Sequence, residues 1–309
     1  MNIHPQHRTK DETMIQIAVC PGKPKDIVSF LKPLVNEVKQ IYEKGLGFTG
    51  DMPGIAELMC FVGHVGTYGC RICKSKAVVP RPISSHGKYF PRYFPEKGED
   101  RTVEELKNGD ILHQLPGLPR LFTDLPAFSI AFFFFGDELH LLGHGMGHLV
   151  YNLLHFKSME KFETHESTRY SFAVSAPFNQ RSFIDQLGAW IIGSKPTCPA
   201  AFDYSFDNRT GYYRAVDWQQ FLLYIVPTVV IPNLECEESK VALMNLVIAI
   251  SIALQKSIST QDIVNMRRFL VVWERFLKNE ISQKWLNVRV WTMNNHVTTY
   301  HMPTLIEQQ

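Results

Sequence analysis

The chain has 309 residues, 45% of them hydrophobic, so a sizeable core is available and global disorder is excluded. Its 32 Lys and Arg nearly balance 30 Asp and Glu, which excludes a histone-like, tail-driven nucleic-acid binder but not a local basic groove. Six cysteines are too few for a disulfide framework, and the most apolar stretches, 125–135, 221–234 and 241–254, fall short of the ~20 residues of a membrane span.

Residues 1–13 read as a flexible, polar leader with no signal peptide. With sparse, reduced cysteines this predicts an intracellular protein, nuclear or cytoplasmic. Residues 14–19 alternate apolar and polar, the period of a strand. Asp26 is placed to cap a helix in which Ile27, Phe30, Leu31, Leu34, Val38, Ile41 and Tyr42 recur at three and four, running to Gly45 with a kink at Pro33. Residues 48–54 read as an extended segment ending in a turn, and 55–62 as one or two helical turns. A Gly- and Cys-containing knuckle spans 63–77. The next stretch, 78–102, carries four prolines and reads as irregular.

From 103 onward the pattern is helical, over 103–112, 139–154, 183–192, 218–226, 241–254 and 261–277. The predicted organisation is a small α/β segment (14–62), a knuckle with an irregular segment (63–102) and a large helical body (103–295). A C-terminal segment follows (296–309).

Three constellations could carry chemistry. Asp51, in Gly50-Asp51-Met52-Pro53-Gly54, is a carboxylate at a strand end that could hold a divalent cation with other acids, or simply cap a turn or helix. Cys70-x-x-Cys73 has the spacing with which two thiolates grip one Zn²⁺. It is half a site, so histidines must complete it. The expected pair is His86 and His140, with His64 or His144 as substitutes. A redox pair, or two ordinary reduced cysteines, are the other readings.

The third constellation runs from Asp137 to His148. His140, His144 and His148 are each four apart, so adjacent pairs share a helix face. No glutamate follows His140, so the His-Glu-x-x-His pattern of metalloproteases is absent. With Asp137 these histidines could serve a metal-dependent hydrolase. His296 and His301 could be partners of another group, but read rather as ordinary surface residues. The chain has no phosphate-cradling glycine loop, no Rossmann fingerprint and no nucleophile elbow.

Taken in order, several segments resemble one family. They are 17–27 (Ile-Ala-Val-Cys-Pro-Gly-Lys-Pro-Lys-Asp-Ile), 30–38 with its Pro33-Leu34, and Asp51-Met52-Pro53-Gly54. Cys70-x-x-Cys73, His86 before aromatic residues and Pro91, Leu115-Pro116-Gly117-Leu118, Asp137-Glu138-Leu139-His140 and Phe221-Leu222-Leu223-Tyr224 follow. Over residues 14–303 the chain resembles the transposases of CACTA (En/Spm-type) DNA transposons. The resemblance implies an RNase H-like catalytic core interrupted by a helical insertion, with residues 296–309 returning toward that core. It implies DNA as partner, and Mg²⁺ or Mn²⁺ if the acidic site is complete. It makes Asp51 the second catalytic carboxylate, Cys70 and Cys73 the family's knuckle, and His140 the histidine of its Asp-x-Met-His box.

The chain departs from the pattern in its acids. No strand-Asp-Gly box precedes residue 14, Asp11 lies in the leader, and the final acidic box lies beyond the segment that 296–301 resembles. Asp137 is not expected to complete a two-metal site. With one of three carboxylates in place, the expectation is a transposase-derived fragment, catalytically incomplete. The alternatives are a zinc-stabilised nucleic-acid- or protein-binding module without catalysis, and the hydrolase using Asp137, His140, His144 and His148.

Overall fold

The computed structural model describes residues 24–41, 48–80, 87–92, 98–125, 128, 133–154, 187–189, 193, 196 and 213–308. Among them the first element is α1, Ile27–Ile41, with Pro33 inside it. It starts where Asp26 predicts, since that carboxylate accepts from the Val28 and Ser29 amides at 3.1 Å each. Two short strands, β1 (Phe48–Thr49) and β2 (Phe134–Phe135), pair in parallel, Thr49 opposite Phe135. They form the whole sheet among the described residues. The α/β entrance is therefore far smaller than expected, and a partial RNase H-like core is not supported. Each strand gives way after two residues to a glycine and an aspartate that begin helical winding, which ends the ladder. The strand expected at 14–19 lies outside the described residues.

α2, Met52–Leu58, is capped by Asp51, whose Oδ1 accepts from the Gly54 amide at 2.7 Å. α3, Val103–Asn108, is set by a reciprocal capping box between Thr102 and Glu105, and α4 is the short helix Arg120–Thr123. The helix expected over 103–112 stops early at Gly109, whose φ of +88° suits glycine. A π-wound stretch, Leu139–Gly147, then continues as α5, His148–Leu154. Gly143 and Gly147 press against the backbone of α6, Ala215–Gln220. A Cβ on either would meet the carbonyls of Ala215 or Trp218 at 2.2 and 2.5 Å. A second π-wound stretch, Phe221–Val230, contains Pro227, which cannot donate to a regular ladder, and leads into α7, Ile231–Asn233. The helix expected over 183–192 lies largely outside the described residues.

α8, Glu237–Ala253, packs along α9, Thr260–Ser282, and most of the apolar stretch 241–254 is buried, Leu243, Leu246, Ala249 and Ile250 completely, while Val241 stays exposed. Among the described residues no helix is long and apolar enough to cross a membrane. The chain ends in two helices that sequence reasoning missed, α10 (Met293–Tyr300) and α11 (Met302–Glu307). α10 is locked by Asn295, which is fully buried. Its Oδ1 accepts from Trp273 Nε1 at 3.0 Å and Thr299 Oγ1 at 3.1 Å, and its Nδ2 donates to the Val290 carbonyl at 2.9 Å.

Asn295→Ala should therefore lower stability by roughly 2–4 kcal/mol, because it strands buried partners on α9 and in the preceding turn. Urea titration should show a lower midpoint at unchanged slope.

Candidate metal centre and the cleft beside it

The Cys-x-x-Cys knuckle is held from several sides. Arg101 Nε donates to the Cys70 carbonyl at 3.1 Å, and its Nη2 to the carbonyls of Tyr68 and His113 at 3.0 and 3.1 Å. The Arg101 amide donates to the Ile72 carbonyl, and the Lys74 amide to that of Glu99, stitching the knuckle to the 98–101 segment. Gly69 lets the chain pass close to its own backbone, since a Cβ there would meet the Gly63 carbonyl at 2.4 Å. Cys70 and Cys73 end up 1% and 0% exposed.

The partners of these thiols come from the far end of the chain. Cys73 Sγ lies 3.3 Å from His296 Nε2, Cys70 Sγ lies 3.7 Å from His301 Nε2, and the two Nε2 atoms are 3.2 Å apart. All four ligand atoms fall within 4.8 Å of one another. Zinc bonds of about 2.3 Å to sulfur and 2.0–2.1 Å to nitrogen give tetrahedral edges of about 3.3–3.8 Å. The donor set thus fits one Zn²⁺ in chemistry and in size.

Local bonds prepare the ligands. His296 Nδ1 donates to the Phe90 carbonyl at 2.8 Å, which leaves Nε2 with its lone pair toward the sulfurs. Burial lowers the His301 imidazole and so favours its neutral, ligating form. Burial pushes the Cys70 thiol up. Hydrogen bonds from Cys73 and the Ile72 amide, with the charge of Arg71, outweigh that and bring it down to about 7. Phe90 and Tyr300 flank the His296 ring at 6.1 and 5.2 Å, and Tyr300 in turn stacks on Trp291 at 5.5 Å with the Arg92 guanidinium over it.

Beside this centre lies a small cleft at the ends of the two strands. Asp51 and Asp137 each stand two residues beyond the paired Thr49 and Phe135, and both line the cleft with Met52, Arg71, His140 and Val297. Asp137 accepts from the Leu139 amide at 2.8 Å and forms a short bond with His140 Nδ1. That bond, with the charges of Asp137 and Asp51, raises the His140 imidazole above its ordinary value. Burial pushes the Asp137 carboxyl up, but the bonds to His140 and Leu139 hold it below the usual carboxylate range.

No family model, curated protein or solved structure matches this chain.

Among the described residues the two thiols meet a pair of histidines other than those the sequence reading joined to them. The completing pair is His296 and His301, read from sequence as surface residues but 0% and 2% exposed here. His140 instead pairs with Asp137, 60% of its side chain exposed. The substitutes His64 and His144 are also exposed, and His86 lies outside the described residues. His144 and His148 bring their rings within 5.9 Å on one exposed face. They do not gather with Asp137 and His140, because the four-ligand centre is the one converging set of three or more such side chains among the described residues. Cys70 and Cys73 are the two ligands that spacing alone found.

Purified protein should carry one zinc per chain by elemental analysis, lost in Cys73→Ser and His296→Ala and retained in His86→Ala and His140→Ala. The folded Cys70 thiol lies below its ordinary value, so its thiolate is favoured above pH about 7 and lost as pH falls through it. Competition with a chromogenic chelator should therefore show zinc affinity weakening below pH about 7.

Proposed function

We propose that the chain is a transposase-derived protein in which a structural zinc ion holds the fold closed, and which engages DNA without cutting it. The observation that carries the zinc role is the closed, buried Cys₂His₂ donor set. With four protein ligands it offers no open position for substrate, which is the arrangement of structural rather than catalytic zinc. The ordered boxes from 17 to 224 support the transposase reading, and the placement of Asp51 at the end of β1 agrees with the role that resemblance gives it. Among the described residues Asp137 is the one further acid lining that cleft. Two-metal phosphoryl transfer needs several converging carboxylates, so the proposal is of binding without strand cleavage.

The long helix α9 offers a surface for phosphates. Arg268 and Arg275, seven residues apart, lie on its exposed face with Gln261 and Asn279. Phosphate contacts from such a face release counterions, so affinity for duplex DNA should fall steeply with salt. The alternative of a zinc-stabilised protein-binding module rests on the same metal centre and differs in giving no salt-dependent DNA affinity.

Fluorescence anisotropy with labelled duplex DNA should give a log–log salt slope that becomes shallower by about 2 in the Arg268→Gln/Arg275→Gln double variant. No strand cleavage should appear with Mg²⁺ or Mn²⁺. Cleavage that disappears in Asp51→Ala would show an active transposase instead, and cleavage needing Asp137 and His140 would favour the hydrolase. An absence of DNA affinity at low salt would leave the protein-binding module.

A further inference from the structure

The metal centre and the acid-lined cleft share two neighbours in the chain. Arg71 stands between Cys70 and Cys73, Val297 follows His296 directly, and both line the cleft that holds Asp51, Asp137 and His140. Arg71 is 7% exposed. Its Nη2 donates to the Phe134 carbonyl of β2 at 3.1 Å, three residues before Asp137. Its Nε makes no hydrogen bond, and no ion pair to it is found among the described residues. A buried guanidinium is costly, and this one meets a strand backbone rather than a carboxylate. The bond gives the knuckle a grip on the strand that leads to Asp137, and through the β1–β2 ladder on the strand that leads to Asp51.

We propose that Arg71 is a positioning residue that couples the Cys70–Cys73–His296–His301 centre to the Asp51–Asp137–His140 cleft, so that zinc occupancy sets how the two carboxylates are held against the imidazole. The inference rests on the zinc reading above. Ligation fixes the turn from Cys70 to Cys73 and with it the origin of the Arg71 side chain. The Nη2 bond to the Phe134 carbonyl then fixes the end of β2. Without metal the two sulfurs lose their common anchor, the turn is held only by its bonds to Arg101 and Glu99, and Asp137 loses part of its reference. On the other wall Val297 moves with His296. The groups facing His140 are Asp137 on its own turn, Asp51 from the end of β1 and Arg71 from the knuckle, with Glu138 and His144 adjacent on its helix.

The His140 imidazole reports this coupling, because it senses both carboxylates and touches no metal ligand. Zinc with two thiolates and two neutral imidazoles carries the same net charge as two thiols with those imidazoles. Stripping the metal therefore changes geometry, and the thiolate it leaves at Cys70 above pH about 7 would raise His140, opposite to the fall the lost geometry produces. Arg71→Lys likewise keeps the charge and replaces the planar guanidinium, whose Nη2 reaches the Phe134 carbonyl, with a shorter side chain ending in a compact ammonium. The test is an NMR titration of His140 in the full chain, as zinc-loaded wild type, zinc-stripped wild type and zinc-loaded Arg71→Lys, with zinc content and circular dichroism recorded for each.

In the loaded wild type His140 should titrate above an ordinary histidine. It should fall toward the ordinary value by roughly half a pH unit or more in both other samples. An unmoved His140 in folded, zinc-loaded Arg71→Lys would overturn the coupling. Should that variant not fold, an unmoved His140 in the stripped protein does so, and should stripping unfold the chain, the variant decides. Wild-type protein without zinc would overturn the metal reading and this inference together, whereas zinc present with His140 unmoved overturns this inference alone.

Discussion

The fold depends on a closure between two segments more than 220 residues apart, where the sulfurs of Cys70 and Cys73 meet the imidazoles of His296 and His301. Loop-closure entropy grows only slowly with length, so the large separation is not in itself prohibitive. What is costly is bringing two thiolates and two imidazoles into a site that excludes water. A divalent cation removes that cost by neutralising the sulfurs and using all four lone pairs at once. Metal binding of this kind is itself folding free energy. The knuckle, the 98–101 segment and the C-terminal helices therefore meet around one donor set, and an ion bound there would order them as a unit.

The helical body presents the histidines to that unit. α10 is held by Asn295, which links it to Trp273 of α9 and to the Val290 turn, and His296 follows on the same helix. His301 lies just past the end of α10, where the backbone leaves the helical conformation before α11 begins. On an uninterrupted helix, residues five apart would point about 140° away from one another. The break at His301 brings its ring back beside His296. The Phe90 carbonyl fixes which nitrogen of His296 is available, so a strand-like segment near the knuckle also decides the ligand's tautomer.

The cleft next to this centre belongs to a different kind of chemistry. Asp51 and Asp137 are solvent-reachable carboxylates at adjacent strand ends, each already engaged in capping a helical start. Capping amides favour the ionised form of a carboxylate, and the His140 imidazole joins them on Asp137. The arrangement is therefore a charged, hydrogen-bonded surface site over a buried Cys/His donor set, with Arg71 between the two. A nucleic-acid reading and a structural-metal reading are compatible here because they use separate side chains.

The sequence by itself determined the helical body, several helix starts and half of the metal site. Apolar residues at three- and four-residue spacing mark α1 and α9 whatever surrounds them, a nearly continuous apolar run marks α8, and Asp26 and Asp51 cap where their short carboxylates can reach the next free amides. Cys70 and Cys73 were legible because both ligands lie in one tight turn. The remainder required the tertiary structure. His296 and His301 have no spacing signal relative to the knuckle, and five residues apart they fit neither a helix face nor a strand face. Only the packing of α10 against α9, and the break after it, turns them toward the sulfurs. The adjacency of Asp51 and Asp137 was hidden for the same reason, since two-residue strands have too short a period to announce themselves and their pairing is a contact between distant parts of the chain. Local periodicity and capping are encoded within a few residues, whereas a ligand set or a strand pair is encoded in which surfaces bury one another.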